Sequence, residues 1–201
     1  MNLFKIDNFN RTKHSWGLED EFFVYPVAGS LEKEDFKISL ARFDIKEEGQ
    51  AFEKFPGRKA FLVPIDKNFP INYKGSKMLI KAKTTFRFKA DEDVVALDEG
   101  RVFSMLASED FQAKMEVLKF FDKLIVEDIF IGNKILFVYA LADNLQLKCG
   151  NKEVDLEKDD LIIMIPDGKY NFELSPRFTN ASDDEDESTP ESAIIFGKVL
   201  L

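Results

Sequence analysis

Lys59-Ala-Phe-Leu-Val-Pro-Ile65 leads through Lys74-Gly75-Ser76-Lys77 to Met78-Leu79-Ile80. Lys134-Ile-Leu-Phe-Val-Tyr-Ala140 leads through Cys149-Gly150-Asn151-Lys152 to Glu153-Val154-Asp155-Leu156. Lys59 with Lys134, Val63 with Val138, Gly75 with Gly150 and Lys77 with Lys152 fall in register at a gap-free offset of 75. Four identities are few, yet the order of apolar run, tight glycine turn and second strand is the same in both. Each copy then runs into a further strand and an acidic turn, Phe86-Arg-Phe-Lys-Ala-Asp-Glu-Asp93 and Leu161-Ile-Ile-Met-Ile-Pro-Asp-Gly168. A small β-unit stated twice predicts a duplicated sandwich or barrel.

Outward from these copies, period-two alternation dominates and helical periodicity is absent. Residues 3–7 alternate as a first strand, and Phe22-Phe-Val-Tyr-Pro26 reads as a second, closed by proline. Phe36, Ile38 and Leu40 alternate, after which the phase slips to Ala41, Phe43 and Ile45. Such a slip inside one strand predicts a β-bulge or a corner between sheets. Further strands are expected at 60–65, 69–73, 78–82, 84–89, 101–107, 113–120, 124–130, 134–141, 144–149, 153–156, 161–165, 169–174 and 193–200. A short turn at Ala51-Phe-Glu-Lys-Phe55 is the one place where a helical turn is allowed.

The 21 Phe residues, against one Trp and four Tyr, suit wide sheets packed with rings, because Phe needs no hydrogen-bond partner when buried. The net charge of -9 is unevenly placed: Glu153 to Ala193 holds 13 acidic and 3 basic residues, so the remainder is close to neutral. Nucleic acid is excluded as an expected partner, since phosphate binding needs clustered Lys and Arg. Asp183-Asp-Glu-Asp-Glu187, bracketed by Asn180, Ser182, Ser188, Thr189 and Pro190, reads as a solvated loop over 179–192. It lacks the ligand spacing and central glycine of an EF-hand loop. The N-terminal residues alternate instead of forming a signal-type apolar stretch, and no run approaches bilayer-spanning length. A cytoplasmic protein with no membrane partner is expected, and the Asn10 and Asn180 sequons then carry no weight.

The chemistry the residues cannot supply is equally informative. A 2-His-1-carboxylate or zinc site of catalytic type needs several converging ligands, and this chain has one His and one Cys. No metal and no cofactor is expected. His14 reads as a surface or capping residue, with a His–acid dyad as the alternative. Cys149 has no base beside it in sequence and reads as inert. Walker, dinucleotide and Gly-x-Ser-x-Gly fingerprints are missing.

Four pieces of the first half, taken in order, carry a resemblance: Ser15-Trp16-Gly17, Phe22-Phe-Val-Tyr-Pro26, Asp35-Phe-Lys-Ile-Ser-Leu-Ala41 and Phe52-Glu-Lys-Phe-Pro-Gly57. Together they resemble the HutD/Ves family of duplicated cupins over about the first 120 residues, while the second half matches mainly as a generic cupin. The resemblance implies an all-β bicupin: two double-stranded β-helix (jelly-roll) lobes, 1–119 and 120–201, forming one compact unit in which N-terminal strands cross to the second lobe. It also implies a metal-free protein, associated in some bacteria with histidine-utilisation genes, that binds a small acidic metabolite in a regulatory role. Where the family has Arg before Ile-Ser this chain has Lys37, and Ala60 stands where an Arg follows Phe-Pro-Gly. Val102-Phe103-Ser104 stands for the family's Asp-x-Asn, so that pocket is partly replaced.

The candidate ligand-binding residues are Trp16, Lys37, Ser39, Arg58 and Ser104, with none assigned to catalysis. By alternation Ser39 shares a strand face with Lys37, so both are ligand groups if that face is the lumen and neither is if it is solvent. Lys37 and Arg58 together would make the first-lobe ligand an anion. Three functions compete: a non-catalytic binder of a small anionic molecule, a metal-free isomerase or hydrolase using His14 or a carboxylate, and an interaction protein working through the acidic 153–193 region. Neither the ligand nor the oligomeric state is readable from these residues.

Overall fold

A computed structural model of the chain describes residues 2–31, 34–128, 133–166, 168–177 and 191–201. Over these residues the backbone forms strands and turns and no helix. In chain order the strands are β1 (Asn2–Lys5), β2 (Asn10–His14), β3 (Gly17–Tyr25), β4 (Ile38–Ile45), β5 (Arg58–Pro64), β6 (Phe69–Tyr73), β7 (Ser76–Ile80), β8 (Phe86–Lys89) and β9 (Val94–Ala96). They continue as β10 (Gly100–Ser108), β11 (Gln112–Phe120), β12 (Leu124–Asp128), β13 (Lys134–Ala140), β14 (Leu145–Cys149), β15 (Lys152–Leu156), β16 (Leu161–Ile165), β17 (Tyr170–Pro176) and β18 (Ser192–Leu200). The chain divides into two units, Asn8–Met115 and Met1–Asp7 with Glu116–Leu201. The first strand thus belongs with the C-terminal part of the chain, where Phe4 of β1 lies opposite Ile163 of β16.

In the Asn8–Met115 unit a six-stranded sheet, β2-β3-β4-β10-β5-β8, accompanies a three-stranded sheet, β7-β6-β9. Their inward faces share one core, with Ala60, Leu62 and Val102 packed alongside Phe69, Ile71, Val94 and Ala96. In the other unit the sheets are β1-β16-β13-β18-β11 and β12-β17-β14-β15, and Leu136, Val138 and Phe196 pack with Leu145, Leu147 and Leu174. The order β8-β5-β10-β4 has its counterpart in β16-β13-β18-β11, and β7-β6-β9 in β15-β14-β17. β13 is buried along its whole length, which is why its sequence is a continuous apolar run, whereas β14 alternates. Among the described residues no helix is long and apolar enough to cross a membrane.

Several expectations are corrected. β2 was not anticipated because Asn10-Arg-Thr-Lys-His14 is polar throughout; it survives as a charged edge strand paired to β3. β9, three residues long, also escaped the pattern. The phase slip belongs to the neighbouring strand: β4 pairs β10 without a break, and the bulge lies in β3 between Glu21 and Phe23. Ala51 forms an isolated bridge to Val95 and no helical turn. The gap-free repeat register is one residue out. Tyr73 pairs Ser76 around Lys74-Gly75, and Cys149 pairs Lys152 around Gly150-Asn151, so glycine is second in one turn and first in the other. Positions that correspond in the two pairing patterns lie 76 apart, as Ala60 with partners Phe88 and Leu106 and Leu136 with partners Met164 and Lys198. The acidic stretch Asp183–Glu187 lies outside the described residues.

β2, β3 and β4 are tied across their backs by charge. Arg11 grips Asp20 through two hydrogen bonds of 2.6 and 3.0 Å, and Arg42 donates to the same carboxylate. Arg11 lies over the Phe9 ring and Arg42 over Phe22. Burial pushes the Asp20 carboxyl up, but the hydrogen bonds and charges of Arg11 and Arg42 outweigh it and hold the group below its ordinary value. A lowered acid adds stability above its unfolded pKa and loses it as pH falls through the folded one. Asp20→Ala is expected to lower the urea midpoint at neutral pH, because Arg11 and Arg42 both lose this carboxylate. The gap to the wild type should narrow as pH falls below 3.8; a gap independent of pH would contradict the role given to this carboxylate.

Candidate functional site

The inward face of the six-stranded sheet is made of small residues at its centre. Ser39 and Ala41 on β4 lie opposite Leu106 and Ser104 on β10, which in turn oppose Ala60 and Leu62 on β5. A cavity of about 230 Å³ opens over this patch, with Phe43, Phe52, Phe55 and Phe88 among its walls. At the matching places of the other unit stand Leu136 instead of Ala60 and Phe196 instead of Ser104, both part of its packed core. Larger side chains there take up space that the small ones leave open here.

The polar end of the cavity is carried by the β2–β3 hairpin. His14 pairs Gly17 around the two-residue turn Ser15-Trp16, and Gly17 pairs Ile45 of β4. A Cβ on Gly17 would lie 1.9 Å from the Asp44 carbonyl oxygen, so only glycine lets the hairpin close on β4. The Lys46 N–H donates to the Trp16 carbonyl at 2.8 Å. Trp16 thereby packs on Phe43 at 6.0 Å, and the His14 ring stacks on Trp16 at 4.5 Å with 8° between planes. His14 Nε2 and Glu19 Oε2 share a hydrogen bond of 3.0 Å. Burial pushes the Glu19 carboxyl up; the hydrogen bond and charge of His14 pull it back, while Glu21 and Glu53 add to the rise. Gln50 and Glu53, from the segment after β4, also line the cavity.

No family model matches the sequence, and no curated protein matches it. Solved structures match in shape. A conserved protein of unknown function from Pseudomonas aeruginosa superposes with a TM-score of 0.81 over 100% of both chains at 15% identity. HutD from Pseudomonas fluorescens gives 0.71 over 98% of this chain and 97% of that one at 16% identity. A Cupin 2 conserved barrel domain protein from Leptotrichia buccalis gives 0.57 over 94% and 91% at 9% identity. The chain has a cupin fold.

In this cupin fold Trp16, Ser39 and Ser104 line the cavity of the Asn8–Met115 unit, and Lys37 and Arg58 do not. β4 begins at Ile38, so alternation does not carry Ser39's face back to Lys37, whose side chain is exposed. The Lys37 backbone instead bonds Tyr25 and Ser108. Arg58 donates to the carbonyls of Pro56, Glu34 and Phe36 and lies over the Phe36 ring at 4.2 Å. It is a clamp on its own backbone neighbourhood, and the expected pair of anion anchors is absent from the described wall. His14, expected at a surface or cap, is half-buried on that wall beside an acid. Glu19, Gln50, Phe43 and Phe52 went unremarked as site residues, since nothing local in sequence says which face of β3 or which loop turns inward. Among the described residues no three His, Cys, Asp or Glu side chains are grouped as a metal site requires.

The His14–Glu19 pair gives a pH signature. In His14→Leu the carboxyl loses its hydrogen bond and opposing charge, so burial raises it further. A raised acid is neutral in the folded state where the unfolded chain would ionise, which costs stability above its ordinary 4.5. His14→Leu is expected to melt a few degrees below the wild type at neutral pH, with the deficit shrinking on acidification toward 4.5. Adding Glu19→Gln should remove that pH dependence. A deficit equal at both pH values, followed by differential scanning calorimetry, would show that the pair is not coupled.

Proposed function

We propose that this protein is a metal-free, cytoplasmic bicupin of the HutD/Ves kind that binds a small molecule without transforming it, in a regulatory role. The matched strand orders of the two units support a duplication, and the likeness to HutD supports the kinship. The single observation that carries the binding reading is the cavity over Ala60 and Ser104, at positions filled by Leu136 and Phe196 in the other unit. A hollow interior forfeits dispersion contacts that a Leu and a Phe would supply, and a bound molecule restores them. Gly17 and the stacked Trp16 and His14 give that hollow a built polar end.

The ligand is expected to come out of a thermal-shift screen of small metabolites against the full chain. A molecule held at 100 times its Kd stabilises the native state by about 2.7 kcal/mol. For a chain of this size that is roughly 5–10 °C in Tm. Ala60→Leu, which copies the filled unit, should keep or raise the Tm of the free protein and abolish the shift. A shift that survives Ala60→Leu and Ser104→Phe would place the ligand elsewhere.

A metal-free isomerase or hydrolase is the second reading, favoured by the His14–Glu19 hydrogen bond at the cavity wall. A half-buried imidazole beside a carboxylate has the parts for proton transfer. Turnover of the screened ligand, lost in His14→Gln with binding retained, would favour it; unchanged ligand recovered after long incubation would favour the binder.

A further inference from the structure

We infer that the cavity selects a molecule with a compact apolar body and an ammonium head received by Glu19, and that it rejects carboxylates. This rests on the cavity being the ligand site. Apolar cavities of about 150 Å³ take up benzene. One of about 230 Å³ therefore has room for a six-membered ring with a short head. The body has apolar walls to meet, broken by the Ser39 and Ser104 hydroxyls, and the ionisable pair His14–Glu19 is on the same wall.

The charge at that end has one sign in excess. Glu19 and Glu53 lie on the wall and Glu21 is close enough to act on Glu19, while no Lys or Arg is on the wall among the described residues. The titratable partner facing Glu19 is His14 at 3.0 Å, whose charge, when it carries one, is already answered by that carboxylate. An incoming carboxylate would shed its water beside two acids with no guanidinium or ammonium to meet it. An incoming ammonium meets Glu19 as a charge-assisted acceptor. Lys37 and Arg58, the residues that would have reversed this balance, are outside the wall.

Three probes share one ring and differ only in the head: benzylamine, benzyl alcohol and benzoate. Isothermal titration of the full chain at neutral pH is expected to rank benzylamine about tenfold or more above benzyl alcohol, with benzoate weakest. Glu19→Gln should bring benzylamine down to the level of benzyl alcohol. Ala60→Leu should abolish both. Benzoate binding tightest and vanishing in Ala60→Leu would overturn the charge selectivity while leaving the cavity as a ligand site. Benzylamine preference that persists in Glu19→Gln would overturn the role of Glu19. No binding by any probe, or binding indifferent to Ala60→Leu, would overturn both this selectivity and the binding reading beneath it.

Discussion

Two sheets packed face to face leave a gap of fixed width, and the side chains on their inner faces must fill it or enclose a void. In the Asn8–Met115 unit the registers of β4, β10 and β5 bring Ser39, Ala41, Ala60 and Ser104 together on one such face. No large side chain stands among these four, and space remains. In the other unit Leu136, Phe196 and Val138 occupy the comparable face and close on Leu147 and Leu174. The four strands β8-β5-β10-β4 and β16-β13-β18-β11 share one order, so on these strands the two faces differ in side-chain volume, while the β2–β3 hairpin extends the six-stranded sheet alone.

The void acquires chemistry from one tight contact. Gly17 rests so closely against the Asp44 carbonyl that no side chain fits between, and the β2–β3 hairpin it closes carries His14, Trp16 and Glu19 of the cavity wall. Behind that hairpin the Arg11–Asp20–Arg42 cluster fixes the same strands on their other face. β3 thus separates its charges by face. Asp20 is neutralised by two guanidiniums in the scaffold, and Glu19, one residue earlier, turns to the cavity with a single imidazole as partner. Adjacent acids on a strand point to opposite sides and meet opposite environments. Burial and its neighbours leave Glu19 raised where Asp20 is lowered.

Much of the fold was legible because β-structure writes itself in period two. The apolar runs of β5, β13, β14 and β16 and the glycine turns at 75 and 150 located their strands within a residue or two. Polar β2 and three-residue β9 carried no such signal. The bulge near Phe22 was read on the wrong strand because a slip in pairing displaces both partners' patterns, and sequence does not say which chain holds the extra residue. At the site, Trp16, Ser39 and Ser104 came from ordered motifs and strand faces. Lys37 and Arg58 were drawn in by charge and proximity in sequence, but β4 starts one residue too late for Lys37, and carbonyls of Pro56, Glu34 and Phe36 occupy Arg58. Glu19 and His14 acquire meaning only from the packing of the β2–β3 hairpin on β4, where Gly17 meets the Asp44 backbone, a contact no local pattern encodes.

The central claim is a standing void over the small residues of the Asn8–Met115 unit, and xenon tests it without knowledge of any ligand. Xenon enters apolar cavities by dispersion and is visible as a strong anomalous scatterer. Crystals of the full chain pressurised with xenon are expected to show a peak beside Ala60, Leu62 and Ser104 and none beside Leu136, Val138 and Phe196. The absence of a peak in the Asn8–Met115 unit, with its inner face closed by shifted side chains, would contradict it.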